Sequence, residues 1–177
     1  MSRIKIPEIT TVELLERYNA GERNFSGVKI IKDFLGATGY ELFGVDLRGI
    51  SLRGAYLEDI CFSETNLMGA DLSGCCLLNG CLSECILSDA RLDCANLDNC
   101  SCNKTTFGGC SMQLVNATRA NFQGAFSPVF SWSILIETNL KDAVITRQVL
   151  DECHNFIYRC IMPDGSYEIG PIVGWER

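Results

Sequence analysis

Eleven cysteines and a single histidine, His154, are the side chains of this 177-residue chain best suited to bind a metal or act as nucleophiles. No two cysteines stand in the Cys-x-x-Cys spacing that structural zinc sites commonly use. Eleven thiols cannot all pair within one chain, and the first residues, from Met1 to Glu8, lack the apolar core of a signal peptide. We therefore expect a cytoplasmic protein with reduced thiols, no metal site and no cofactor.

Catalysis needs an acid, a base or a nucleophile that converge on a cleft, and the sequence indicates no such set. His154 lies near the C-terminus, away from any recognisable triad or phosphate-binding loop. The formal net charge of −7 argues against direct nucleic-acid binding, which needs a basic surface. No uninterrupted apolar stretch reaches the about 18 residues of a membrane span. We therefore expect a protein that binds or scaffolds a partner and is not an enzyme.

Apolar residues recur every five positions through the middle of the chain. The 17 members of this central series are Leu42, Leu47, Leu52, Leu57, Phe62, Leu67, Leu72, Leu77, Leu82, Leu87, Leu92, Leu97, Cys102, Phe107, Met112, Ala117 and Phe122. A second uncharged series, mostly of small residues, stands two positions before the first. All 15 charged residues between Tyr40 and Gly124 fall at the other three positions, which random placement would give about once in two thousand trials.

A period of five fits neither a helix nor a continuous strand, but its internal spacing explains it. Residues two apart lie on the same side of an extended backbone, so the small and the central residue both face inward. The residue between them, such as Asp71 or Asn96, faces outward. The last two positions, as in Ser73-Gly74, are typical of turns. A chain that turns after every short extended step winds around an axis and buries the same two positions throughout.

The segments Ala70–Gly74, Ala95–Asn99 and Ala120–Gly124 resemble the signature of the pentapeptide-repeat family, Ala-(Asp/Asn)-Leu-x-x. The resemblance covers residues 24–145 and implies an all-β fold, a right-handed quadrilateral parallel β-helix with four repeats per coil. If four repeats complete a coil, Cys61 and Cys81 are stacked neighbours on one wall and face outward, within the Cα separation that a disulfide tolerates. In a reducing cytoplasm the two thiols would remain unpaired. Five other cysteines are expected to be buried and inert: Cys75, Cys85, Cys100, Cys102 and Cys110.

The ends of the chain predict caps for the β-helix. Thr10 and Glu13 form a capping box, so residues 1–23 should contain a helix that ends at Gly21 and covers the first coil. Residues 146–177 leave the repeat as a tail, with a helix that begins after Thr146 and carries Val149, Leu150, Cys153 and Ile157 on one face. A turn follows at residues 162–166. The chain entering the first coil at residues 21–25, and the turn, resemble those of cyanobacterial family members.

Two breaks interrupt the period, near residues 31–41 and at residues 126–129. The second separates Phe122 from Phe130 by one repeat plus three residues. We expect the extra residues, Phe126, Ser127, Pro128 and Val129, to bulge from a corner as a loop. Such a loop is either a tolerated insertion or an interaction loop.

Two functions remain open. The first is a protein-interaction or scaffold module with an unknown protein partner. The second is a DNA mimic that inhibits or protects a type II topoisomerase such as DNA gyrase, as known family members do. That role needs acidic columns along the rod, and the candidates are Glu58, Asp59, Glu64, Glu84 and Asp98. Lys104 and Arg119 interrupt these columns. Any homodimer is expected to form through the C-terminal end, which carries Trp175.

Overall fold

A ladder of parallel backbone bridges runs through the computed structural model, which describes residues 5–32 and 42–173. In its regular part each residue pairs with the residue 20 positions further along, as Asn66 does with Ile86. Four five-residue repeats therefore separate one coil from the next, the number that the family resemblance implies. The named elements are β1 (Glu8–Thr10), α1 (Thr11–Asn19), β2 (Lys29–Ile31), β3 (Met112–Gln113), β4 (Phe130–Ser131), β5 (Ile134–Ile136), α2 (Arg147–Glu152), β6 (Phe156–Tyr158), β7 (Cys160–Ile161), β8 (Tyr167–Glu168) and β9 (Ile172–Val173).

The bridges form four columns, which we call walls A to D in the order in which the chain reaches them from Asp46 onward. Wall A contains Asp46, Asn66, Ile86, Thr106, Phe126 and Val144. Wall B contains Asn24, Ser51, Asp71, Arg91 and Ser111, and continues in the parallel pair β3–β4. Wall C contains Lys29, Tyr56, Cys76, Asn96, Asn116 and Ile134, and continues in the parallel pair β5–β6. Wall D contains Cys61, Cys81, Ser101, Asn121, Asn139 and Ile161.

In the regular, described coils each corner between two walls is a tight β-turn. In the corner between walls A and B, for example, the Ala70 N–H donates to the Leu67 carbonyl at 3.0 Å, and Gly69 between them has a φ of 66°. A positive φ at the third residue of such a turn favours glycine and asparagine. This preference explains why the last position of so many repeats is one of these residues.

The inward-facing side chains form a single hydrophobic core. The central and small residues predicted to be inside are buried: Leu72, Leu77, Leu92, Leu97, Ala70, Ala90 and Ala95. At Gly80, which occupies a small position, an added Cβ would lie 2.9 Å from the carbonyl oxygen of Leu77. The backbone therefore leaves little room for a side chain at Gly80, although larger residues such as Ile50 and Ile60 are buried at the same position of earlier coils.

The N-terminal helix begins and ends as the sequence predicts. The Thr10 hydroxyl accepts a hydrogen bond from the Glu13 N–H at 3.0 Å, and Gly21, with a φ of 101°, follows the last turn. β1 pairs in parallel with β2, which places α1 at the open end of the stack. Leu14 is fully buried, and the Tyr18 hydroxyl donates to the Arg48 carbonyl at 2.9 Å. The helix therefore covers the first coil.

The two breaks in the period have different structures. Asn24 pairs with Ser51, 27 residues along, so the first coil is seven residues longer than the regular 20. Most of the added segment, residues 33–41, lies outside the described residues. At the second break the prediction of a bulging loop was wrong, because Phe126 stays in wall A between Thr106 and Val144. The next partners in wall B, Met112 and Phe130, lie only 18 residues apart instead of the regular 20. The corner between walls A and B is therefore two residues shorter than in the regular coils, whereas the sequence predicted three additional residues there.

The sequence predicts that the repeat ends at Ile145, but in the structure the walls continue beyond it. α2 takes the place of one corner and part of a wall, after which β6 resumes wall C and Ile161 resumes wall D. The Thr146 hydroxyl caps α2 as predicted, but the helix stops at Glu152, and Ile157 is a buried residue of β6. β8 and β9 then pair in antiparallel orientation with β7 and β6. Trp175 lies outside the described residues.

Candidate protein-interaction surface

The corner between walls B and C changes character along the stack. All residues at the third position of its turns have a positive φ, and in chain order they are Gly27, Gly54, Gly74, Cys94, Leu114, Trp132 and His154. A side chain with a Cβ costs about 1–2 kcal/mol in this left-handed conformation. Leu114 and Trp132 are nevertheless 60% and 54% exposed. Large apolar side chains that are both strained and turned to solvent are typical of a binding site.

A shallow groove lies beside Trp132. The Trp132 ring stacks on the His154 imidazole with 4.4 Å between ring centroids and 6° between ring planes. Ile134 and Phe156, neighbours in wall C, join them to line a groove of about 300 Å³. The result is a flat aromatic surface with an aliphatic edge.

A second groove lies at the shortened corner between walls A and B. Val129, Val144 and Val149 line it, and its volume is about 380 Å³. Phe126 and Val144 are adjacent in wall A, and both face solvent. Of the four residues predicted to form a loop, Phe126 is thus exposed in wall A, Ser127 and Val129 line the groove, and Pro128 is buried. We give the name apolar surface to six of the exposed apolar residues near the C-terminal end: Leu114, Phe126, Val129, Trp132, Ile134 and Val144.

Of the apolar surface, only Phe126 and Val129 are among the candidate residues that the sequence indicates. Leu114 and Trp132 carry a signal that was available, because each places a large apolar residue at a corner position where most repeats have Gly, Asn, Asp or Ser. Ile134 and Val144 each stand one position before an apolar residue, as the outward residues of the repeats do, so their exposure also had a signal. Only the wall that each occupies depends on the coil length after the shortened corner.

The candidate acidic residues lie on the two corners that flank wall D. Glu64 and Glu84 stack on the corner between walls D and A, and Asp59 lies with Glu58 and Asp98 on the corner between walls C and D. The stacking that the coil length predicted is therefore present.

Basic side chains offset part of this acidic surface. The Lys104 ammonium lies 3.5 Å from a Glu84 carboxylate oxygen, and the Arg119 guanidinium lies 2.8 Å from Asp98. Lys29 and Lys32 line a groove of about 460 Å³ together with Glu58 and Asp59. The acidic columns are therefore short and alternate with bases.

Cys61 and Cys81 are directly paired in wall D, and both are half-buried. The Ser63 hydroxyl lies 3.3 Å from the Cys61 sulfur and 3.0 Å from the Cys81 sulfur. The Cys81 thiol also contacts the Ser83 hydroxyl at 3.3 Å. Burial alone would raise the pKa of Cys81, but the hydrogen bonds with Ser63 and Ser83 outweigh it and lower that pKa.

The inward-facing cysteines have the opposite environment. Cys75, Cys85, Cys100 and Cys102 are buried as predicted, whereas Cys110 is half-buried. Burial raises the pKa of Cys85 and of Cys110 to about 12. These thiols remain protonated at neutral pH and lack the thiolate that reacts.

The family model described as Pentapeptide repeats matches residues 50–89 and 90–126 with eight copies of the repeat. The four walls, the buried central and small residues and the turn corners described above are built from the same repeats. Residues 50–126 of the chain are therefore pentapeptide repeats. None of the helices in residues 5–32 and 42–173 is long and apolar enough to cross a membrane.

Solved pentapeptide-repeat structures are similar to the chain at low sequence identity. A thylakoid-lumen protein from Arabidopsis thaliana is 20% identical over 82% of this chain and 80% of its own, with a TM-score of 0.42. HetL, a protein involved in heterocyst differentiation regulation from the cyanobacterium Nostoc, is 19% identical over 90% of this chain and 100% of its own, with a TM-score of 0.26. QnrB1, a plasmid-mediated fluoroquinolone resistance protein, is 13% identical over 78% and 81%, with a TM-score of 0.39. No curated protein matches the chain.

Proposed function

We propose that this protein is a non-catalytic interaction module that presents its apolar surface to a protein partner in the cytoplasm. Its coils would wind in the right-handed sense, the hand that parallel strands joined by crossovers adopt almost without exception. The observation that carries the proposal is the exposure of Leu114 and Trp132 at positive φ. Folding alone does not explain these two residues, since glycine occupies the same corner in earlier coils without strain.

The composition of the apolar surface supports a protein partner. Tryptophan is enriched among the residues that contribute most to protein–protein affinity, and Trp132 is held in place by its stack on His154. Two adjacent grooves, separated by the width of wall B, give a partner two points of contact. Exposed apolar residues that line grooves on a water-exposed surface are typical of interfaces.

The test uses a variant that removes the apolar side chains without disturbing the turn. Asparagine accepts a positive φ, so the double variant Leu114→Asn/Trp132→Asn should fold with thermal stability close to that of the wild type. Glu137→Asn is the matched control, because Glu137 has a φ of 55° on the neighbouring corner of the same coil. Each chain is used as bait in a lysate of the host organism, and captured proteins are quantified by mass spectrometry.

We expect the wild type and Glu137→Asn to capture the same partner, and the double variant to capture at least about tenfold less of it. Equal capture of that partner by all three chains, with matched folding by circular dichroism, would show that the apolar surface is not the binding site.

The alternative role, a DNA mimic that inhibits or protects DNA gyrase, rests on the stacked pair Glu64 and Glu84. Lys104 and Arg119 oppose it, because each places a positive charge against the acidic columns. A gyrase supercoiling assay decides between the two functions. Inhibition by the wild type that Glu64→Gln/Glu84→Gln abolishes would favour the mimic, and unaltered supercoiling would exclude it.

A further inference from the structure

Wall D brings two thiols together in a way that no other wall does. Among the bridges of the described residues, Cys61 and Cys81 are the one pair in which both partners are cysteines. Adjacent strands lie about 4.8 Å apart, and paired residues of parallel strands project to the same side. That separation falls within the Cα distances of about 4.4–6.8 Å that a disulfide tolerates.

A chain of hydrogen bonds connects these thiols along the wall. Ser63 contacts both sulfurs, and Ser83 joins Cys81 to the Ser101 hydroxyl at 2.8 Å. Hydroxyl donors near sulfur stabilise the thiolate, which is the reactive form. The lowered pKa of Cys81, where the bonds with Ser63 and Ser83 outweigh burial, agrees with this arrangement.

Other close thiols in the protein lack this environment. The sulfurs of Cys100 and Cys102 are 3.8 Å apart, but both side chains are buried in the core. Burial, together with the neighbouring Cys100 thiol, raises the pKa of Cys102. Cys94 is exposed on a corner and is not a member of any bridge. Proximity, access and hydroxyl donors coincide at Cys61 and Cys81.

We propose that Cys61 and Cys81 form a peroxide-reactive dithiol site that closes to a disulfide between two successive coils. The Cys81 thiolate attacks one oxygen of hydrogen peroxide, the O–O bond breaks, and the departing hydroxide takes up a proton to become water. The Cys61 sulfur, having lost its proton, then attacks the sulfur of the Cys81 sulfenic acid. The S–O bond breaks, and the departing hydroxide takes up the proton that Cys61 lost and leaves as a second water. Two thiols and one peroxide thus yield one disulfide and two waters.

Mass spectrometry of the full-length, reduced chain tests this directly. The chain is treated with one equivalent of hydrogen peroxide, its remaining thiols are alkylated, and it is digested with a protease that cleaves after glutamate. Glu64 lies between the two cysteines, so the disulfide would join peptide 59–64 to peptide 65–84. We expect that cross-linked pair, with fragmentation locating the bond at Cys81 and not at Cys75 or Cys76, and the loss of two of the eleven thiols.

Single variants separate the two roles. Cys81→Ser should consume peroxide at least about tenfold more slowly than the wild type. Cys61→Ser should still react but form no cross-link, and its sulfenic acid should be trapped by dimedone. Cys94→Ser is the matched control and should behave as the wild type.

Ser63 is a positioning residue with its own readout. Ser63→Ala should slow peroxide consumption without lowering the melting temperature, and Ser63→Thr should restore the rate. A cross-link between any other pair, a wild-type rate in Cys81→Ser, or oxidation of Cys94 before wall D would overturn the proposal.

Discussion

Ile86 and Leu87 are consecutive residues whose replacement by alanine should have very different effects on stability. Their side chains are isomers, so both substitutions remove three carbon atoms. Leu87 is fully buried in the core, whereas Ile86 is 41% exposed on wall A between Asn66 and Thr106. The difference between the two losses of stability therefore tests which side of the extended backbone each residue occupies.

The expected magnitudes follow from burial. Three buried carbons contribute about 2.4 kcal/mol by transfer, and the cavity left in the core raises the loss for Leu87→Ala to about 3–4 kcal/mol. For Ile86→Ala the same carbons are little more than half buried and leave no cavity, so we expect about 1.4 kcal/mol or less. For a chain of this length, 3 kcal/mol corresponds to a fall in melting temperature of about 6–12 °C.

Unfolding in guanidinium chloride, followed by circular dichroism, measures both free energies. The midpoint of Leu87→Ala should fall well below that of Ile86→Ala, with little change in the slope of either transition. Equal losses of stability from the two variants would refute the assignment of inward and outward positions in the repeat.

Two further predictions concern the buried thiols and the C-terminal end. Burial raises the pKa of Cys85 and Cys110 from 9.0 to about 12, so above pH 9 the unfolded chain releases these protons first and is favoured. Each thiol should then remove up to about 1.4 kcal/mol of stability per pH unit, and Cys85→Ala should make the loss less steep in unfolding experiments between about pH 8 and pH 11; parallel profiles for the two chains would contradict this. We also propose that any homodimer uses the C-terminal end, where Ile169 is 66% exposed. Ile169→Arg should then shift the chain to a monomer in sedimentation velocity experiments, and a dimer that persists in this variant would rule the interface out.

Some features of this protein were predictable from the sequence because they depend on neighbouring residues. Thr10 caps a helix through the N–H three residues along, and Gly69 satisfies the positive φ of its own turn. The central residue of each repeat faces inward because extended backbone alternates sides. The turn and the alternation recur along the repeats, so the core and the corners followed from the period of five.

Other features depended on which residues pair between coils. The eight residues from Phe122 to Phe130 fit one repeat plus three or two repeats less two, and only the pairing of Met112 with Phe130 decides for the second. Ile157 continues the apolar pattern of α2, but its pairing with Leu135 places it in a strand. The stack of Trp132 on His154, and the contact of two thiols 20 residues apart with one serine hydroxyl, arise in the same way. Sequence determines the local step of the coil, whereas the hydrogen bonds between coils determine which steps are stacked, because that choice depends on the total length of each coil.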